Sequence, residues 1–172
     1  TEQAEADAQQ SFESGLLAPL RRKLEPLAER LRHANMESLV HALAAALAEQ
    51  FEASVVHKRF NEAGAILLCE HARLLTDGLS ELVSGSVRNE FARLNQVAFV
   101  LNAGSVQEAA ALLLSSTLGA PGAAGSGSVR LTQAEAARTL VLRVEFSKDE
   151  IRELLGDLDE LHGAEDQGGR QR

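Results

Sequence analysis

Leucine recurs near the start of the chain at Leu16, Leu20, Leu24, Leu27 and Leu31, in steps of four, four, three and four. Such steps keep one stripe of a 3.6-residue helix apolar, so a helix is predicted there. Pro19 suits its first turn. Pro26 falls inside the stripe, where its ring removes a backbone donor and crowds the preceding turn, so a break or kink is expected. A second stripe of Leu39, Leu43, Leu47, Val55 and Phe60 follows Asn35, which reads as its N-cap. Gly64, in Phe-Asn-Glu-Ala-Gly, marks a break or bend. The pattern then runs from Ile66 through Leu74, Leu75, Leu79, Leu82 and Val83. Ser84, Gly85 and Ser86 weaken helix locally, but Val87, Phe91, Leu94, Ala98 and Leu101 resume it in steps of four, three, four and three. Residues 66–101 are therefore predicted as one long helix with a soft middle, ending at the Asn102–Gly104 cap signal.

Three hydroxyl-x-x-Glu boxes follow, each pairing a side-chain acceptor with a carboxylate that reaches back to a free backbone N–H. Ser105 with Glu108 predicts a helix through Leu114, and Thr132 with Glu135 one through about Glu145. Ser147 with Glu150 opens the last, with Ile151, Leu154, Leu155, Leu158 and Leu161 on one face. Gly119–Ser128, rich in glycine, alanine and serine, has the composition of a flexible loop. Residues 1–14 read as a disordered lead and 163–172 as a disordered tail, leaving a bundle domain over 15–162. The predicted fold is all-α, an antiparallel bundle of about six helices.

Composition supports that class. Apolar residues make up 45% of the 172 positions, yet only 3% are aromatic, with six Phe and no Trp or Tyr. The apolar mass is Leu, Ala and Val, of which Leu and Ala favour helix, and only three Pro interrupt it. A chain of this size buries roughly 68–70% of its unfolded surface and needs no metal or disulfide staple. The net charge of −8 and the lack of stacking aromatics argue against nucleic-acid binding. No apolar run approaches the roughly 20 residues that span a bilayer. With Cys69 alone, no intramolecular disulfide can form, and a reducing compartment is the simpler setting. The acidic, polar start lacks the parts of a signal peptide, and a first residue of Thr rather than Met reads as an excised piece of a longer protein.

The chain carries few residues in patterns that chemistry requires. His33, His41, His57, His71 and His162 form neither Glu-x-x-His pairs nor a His-Glu-x-x-His helix, and the single Asp159/His162 pair is weak. They read as solvated or half-buried helix histidines. Cys69 sits in an apolar helical context, and His71, two residues on, falls on another face, so a buried inert thiol is expected. The glycine-rich loop lacks the Lys-Ser/Thr end of a phosphate loop. The acidic residues from Glu145 to Glu160 read as the wet face of the last helix, and Arg21-Arg22-Lys23 as an exposed triplet too short for a membrane anchor. No catalytic residue, cofactor site or metal site is predicted. One charge stands apart: Arg93 lies beside a core stripe with Asn89 and Val97 at its i±4 positions. It either has a partner elsewhere in the fold or snorkels at the core edge.

The ordered set Phe-Ala-Arg-Leu-Asn-Gln-Val-Ala-Phe-Val-Leu-Asn (91–102), a capped helix starting Ser-Val-Gln-Glu, and Arg-Leu-Thr-Gln-Ala-Glu running into Phe146 resembles the C-terminal region of subunit 4 of the conserved oligomeric Golgi complex. Residues 36–68 are similar as well, and the resemblance covers about 36–155. It implies a helical-rod tethering subunit, peripheral on the cytosolic face of Golgi membranes and acting in retrograde intra-Golgi transport. The implied partners are the other subunits of the complex, with SNAREs and Sec1/Munc18-type proteins engaged through the parent subunit. It also implies that Arg93 pairs across the bundle with Glu135, as a structural salt bridge. The loop at 119–128 departs from the family's Trp-, Pro- and Asn-rich turn, and the chain runs on past the family's last helix to Arg172.

Two classes of function follow. One is a protein-interaction scaffold without catalysis, the C-terminal module of a tethering subunit. The alternative is a small helical-bundle enzyme or ligand carrier, which requires an enclosed pocket lined by converging His and carboxylate groups.

Overall fold

The computed structural model describes Asp7, residues 10–117 and residues 131–153. Its first α-helix, α1 (Ala18–Ala28), continues from a π-helical turn at Glu13–Leu17. Pro19 offers no N–H to the preceding turn, and there the register widens: the Ala18 N–H reaches the carbonyl of Glu13, five residues back. The helix runs through Pro26 rather than breaking at it and ends two residues later, where little ladder remains to lose. Residues 10–14, assigned above to the lead, are helical, and Phe12 stacks on His71 with ring centroids 3.9 Å apart.

Helix α2 (His33–Val55) starts before Asn35, which is not its cap. Asn35 lies in the first turn and donates its N–H to Arg32, the capping position. The most deeply buried face is Met36, Val40, Ala44, Ala48 and Val55; Leu39, Leu43 and Leu47 are only partly buried and pack beside it. Alanine lets neighbouring helices approach most closely, and the longer leucines cover the flanks. Phe60 falls beyond the helix, where it forms a single parallel bridge with Arg143.

Helix α3 (Glu62–Ser80) is capped by Asn61, whose side chain accepts the Gly64 N–H at 2.9 Å. Gly64 thus belongs to a first turn, and the break lies before it. The long helix expected over 66–101 is two helices, α3 and α4 (Ala92–Leu101), joined by turns across 81–91. Side chains draw off the backbone donors that a helix would use. Ser80 Oγ takes the Val87 N–H at 3.3 Å, Ser86 Oγ that of Arg88 at 3.2 Å, and Glu37 of α2 that of Ser84 at 3.1 Å. The reversal sets α4 antiparallel to α3. Leu75 and Leu79 share one core cluster with Phe91 and Leu94, and Ala65 and Leu68 share another with Ala98 and Leu101.

Helices α5 (Val106–Thr117) and α6 (Gln133–Leu140) follow, and residues 148–153 open a further helix. A third cluster joins Val100, Val106 and Ala109 to Leu140 and Ile151. The Thr132/Glu135 box is complete, although α6 stops at Leu140, short of Glu145. At Ser105 the hydroxyl accepts from Glu108 as a box requires, while the Glu108 carboxylate reaches one residue further, to Gly104. At Ser147 the Glu150 carboxylate reaches back, but the hydroxyl takes the Asp149 N–H. The described residues thus form an all-α bundle. The loop at 119–128, Leu154–Leu161, the Asp159/His162 pair and the tail lie outside them.

Candidate functional site

Arg93 stands in the first turn of α4, Glu52 in the last turn of α2, and Glu135 at the third position of α6. A cation at a helix N-terminus faces an unfavourable dipole, so the guanidinium needs anions from elsewhere. It receives two. Arg93 Nε donates to Glu52 at 2.8 Å and Nη2 to Glu135 at 2.7 Å, linking three helices. The side chains of Arg93 and Glu135 are each 31% exposed and that of Glu52 22%, so water reaches the cluster but does not fill it.

Glu135 is doubly committed. One carboxylate oxygen accepts Arg93, and the other accepts the Thr132 N–H at 2.8 Å and hydroxyl at 2.9 Å. The Arg93 bond, followed by the two from Thr132, holds its pKa down to about 2. The same contacts, Glu135 first and Glu52 second, push Arg93 above its ordinary value. A carboxylate so acidic is a poor general base near neutrality, and an arginine so paired is a poor proton donor. The cluster is suited to joining helices. Beside it lies a groove of about 400 Å³ with Val55, Val97, Leu131 and Leu142 in its walls.

Sequence reasoning passed over Arg143. Its side chain is 4% exposed; Nη1 donates to the Leu101 carbonyl and, at 3.2 Å, to that of Ala103, while Nε meets Glu145 at 3.0 Å. Its carbon centre lies 4.7 Å from the Phe146 ring centroid. Leu101 ends α4, so Arg143 satisfies carbonyls that have no partner within the helix. The backbone on either side of it is held by Phe60, whose N–H donates to the Leu142 carbonyl and whose carbonyl accepts the Val144 N–H, each at 2.9 Å. The available signal was an Arg between Leu142 and Val144, the kind of oddity that singled out Arg93. Glu145 accordingly belongs to no wet helix face: it pairs with Arg143, whose bond lowers its pKa, and accepts the Glu62 N–H at 3.1 Å.

The remaining candidates separate. His41 meets Glu90 at 2.7 Å and His33 meets Ser84 at 2.7 Å, both fastening α2 to the turns at 81–91. His71 is partly buried against Phe12, and burial lowers its pKa. Cys69 is half-buried; its Sγ donates to Ala98 at 3.3 Å, and burial raises the thiol pKa. Among the described residues no three His, Cys, Asp or Glu gather as a metal site would require.

Fold and site together define an all-α bundle whose charged centres fasten helix to helix and leave open grooves between. A family model described as conserved oligomeric Golgi complex subunit 4, C-terminal, matches residues 1–138, and the chain belongs to that family. It is 30% identical over 151 residues to conserved oligomeric Golgi complex subunit 4 of Arabidopsis thaliana, covering 88% of this chain and 20% of that protein. The subunits of the same name from Bos taurus and Homo sapiens are each 30% identical over 118 residues, covering 69% of this chain and 14% of theirs. The chain therefore spans a fifth or less of the length of these relatives.

Proposed function

We propose that this chain is the C-terminal helical module of a Golgi vesicle-tethering subunit, a non-catalytic scaffold for protein partners in retrograde intra-Golgi transport. Membership of the family is the observation that carries this reading. Its place is the cytosolic face of Golgi membranes, held there by the other subunits of the complex. Among the described residues no helix is long and apolar enough to cross a membrane, which suits peripheral attachment. SNAREs and Sec1/Munc18-type proteins engage the parent subunit, and the module supplies rigid helical surface next to them. Arg93 and Glu135 serve as a structural clamp with Glu52, keeping α2, α4 and α6 in one arrangement. The alternative of an enzyme or carrier finds no support among the described residues, where the carboxylates of the clamp are spent on Arg93 and its capping partner.

The reading is tested by replacing the full-length subunit in cells with a version lacking this module. Expected are weakened co-purification of other complex subunits or of Golgi SNAREs, and under-processed glycans on secreted glycoproteins. Intact assembly, SNARE association and glycan processing in the truncated version would overturn it.

A further inference from the structure

A second groove, of about 420 Å³, runs along the seam between the end of α2 and the first half of α3. Phe51, Val55, Phe60 and Leu67 contribute its apolar walls, and Lys58 and Arg59 stand exposed on its rim in the α2–α3 connection. Neither cation forms an ion pair or side-chain hydrogen bond among the described residues, as is true of several other surface cations of the chain, but these two sit side by side at the edge of an apolar trough. Basic residues after a helix C-terminus complement its dipole, but only by a few tenths to about 1 kcal/mol, and that role needs no apolar trough beside them. At one end His71 presents a buried Nε2 with no hydrogen-bond partner.

We propose that this groove docks an acidic amphipathic helix from a partner protein, with aliphatic or aromatic anchors in the trough and carboxylates on Lys58 and Arg59. The volume accepts a few side chains rather than a folded domain, which is how helix-in-groove recognition distributes its anchors. The rim cations set orientation and association rate. An anionic membrane is the poorer occupant: such binding draws on clusters of about four to eight basic residues, and here two cations sit on a chain of net charge −8. The proposal rests on reading the chain as an interaction module, not on which complex contains it.

The test places a photo-crosslinking benzoylphenylalanine at Ser54, an exposed position lining the groove, in the full-length protein purified with its complex. The expected crosslink maps to one segment of another protein whose Leu or Phe anchors recur at helical spacing between Asp and Glu. Lys58→Glu combined with Arg59→Glu lowers its yield about tenfold without shifting the melting temperature. Ser54→Trp, with its rim charges intact, blocks binding of a labelled peptide copied from that segment, so that a poorly folding charge variant does not decide the matter. Crosslinks confined to the same polypeptide, to a second copy, or to phosphatidylcholine–phosphatidylserine vesicles would overturn the proposal. So would no crosslink, a segment without carboxylates, or a yield indifferent to charge reversal. Co-purification of the other Golgi-complex subunits is read from the same samples; its failure counts against the proposed function, and loss of the crosslink alone counts against the groove.

Discussion

Arg93 and Glu135, 42 residues apart in sequence, meet at 2.7 Å, and the carboxylate that accepts the guanidinium is the same one that caps its own helix. The geometry couples a local event, the start of α6, to a tertiary one, its attachment to α4. Arg93→Ala should cost about 1–3 kcal/mol of stability, because Glu52 and Glu135 are then left partly buried beside each other without a cation. A double-mutant cycle with Glu135→Ala subtracts the capping contribution and should leave a coupling of about 1 kcal/mol. Additive losses in denaturant titrations would remove the clamp.

Acid should loosen the same contact. An ordinary glutamate titrates near 4.5, and Glu135 in the fold titrates near 2, so the unfolded chain binds this proton more readily. The stabilisation is complete above about pH 4.5 and fades as pH falls towards 2. Urea midpoints taken at pH 5 and pH 3 should therefore drop further for the wild type than for Glu135→Gln. Parallel drops would mean that Glu135 does not titrate low.

For Arg143 the expected loss is larger than its single exposed carboxylate partner suggests. Arg143→Met keeps apolar bulk but leaves the Leu101 and Ala103 carbonyls unmet in a buried site, at a cost of about 2–4 kcal/mol. Arg143→Lys should recover part of this, since one ammonium cannot reproduce the fork. Arg152→Met, removing a pair that is 78% and 88% exposed, should lie within about 0.5 kcal/mol of wild type. Equal effects of Arg143→Met and Arg152→Met on thermal melting would contradict the buried-cap assignment.

Cys69 should be slow to alkylate. Burial raises its thiol pKa, and its Sγ is turned to the Ala98 carbonyl. At pH 8 iodoacetamide should label the native chain at least about tenfold more slowly than the chain in denaturant. Equal rates would place the thiol in open solvent.

Helices were legible in the chain because burial on one side imposes a period of 3.6, and Leu, Ala and Val keep to it over most segments. Their ends were less so. The stretch 66–101 holds its period through Ser84, Gly85 and Ser86, yet the chain reverses there because Glu37, 47 residues away, and the local serines capture its donors. Asn35 had the chemistry of a cap and sits inside a helix, while Asn61, not predicted as a cap, is the cap in fact. At the charged site, pattern singled out Arg93, and resemblance supplied Glu135. Nothing pointed to Glu52, since an exposed-looking Glu near a helix end is common in an acidic chain. Arg143 carried the same signal as Arg93, an Arg among apolar neighbours, but only its fold neighbours reveal that it caps α4.

What the sequence by itself determined is local: the all-α class, most helical segments, the Thr132/Glu135 box, and an order of motifs specific enough to point to one family. Those properties depend on residues within a turn or two of each other. Tertiary structure decided where 66–101 folds back, that Ala44 and Ala48 rather than the leucines beside them are the deeply buried positions of α2, and that Glu52 completes the clamp. It also decided that Arg143 closes the end of α4 and that Lys58 and Arg59 border an apolar groove. Each of these depends on groups distant in sequence coming within a few ångströms, and no local spacing encodes such a meeting.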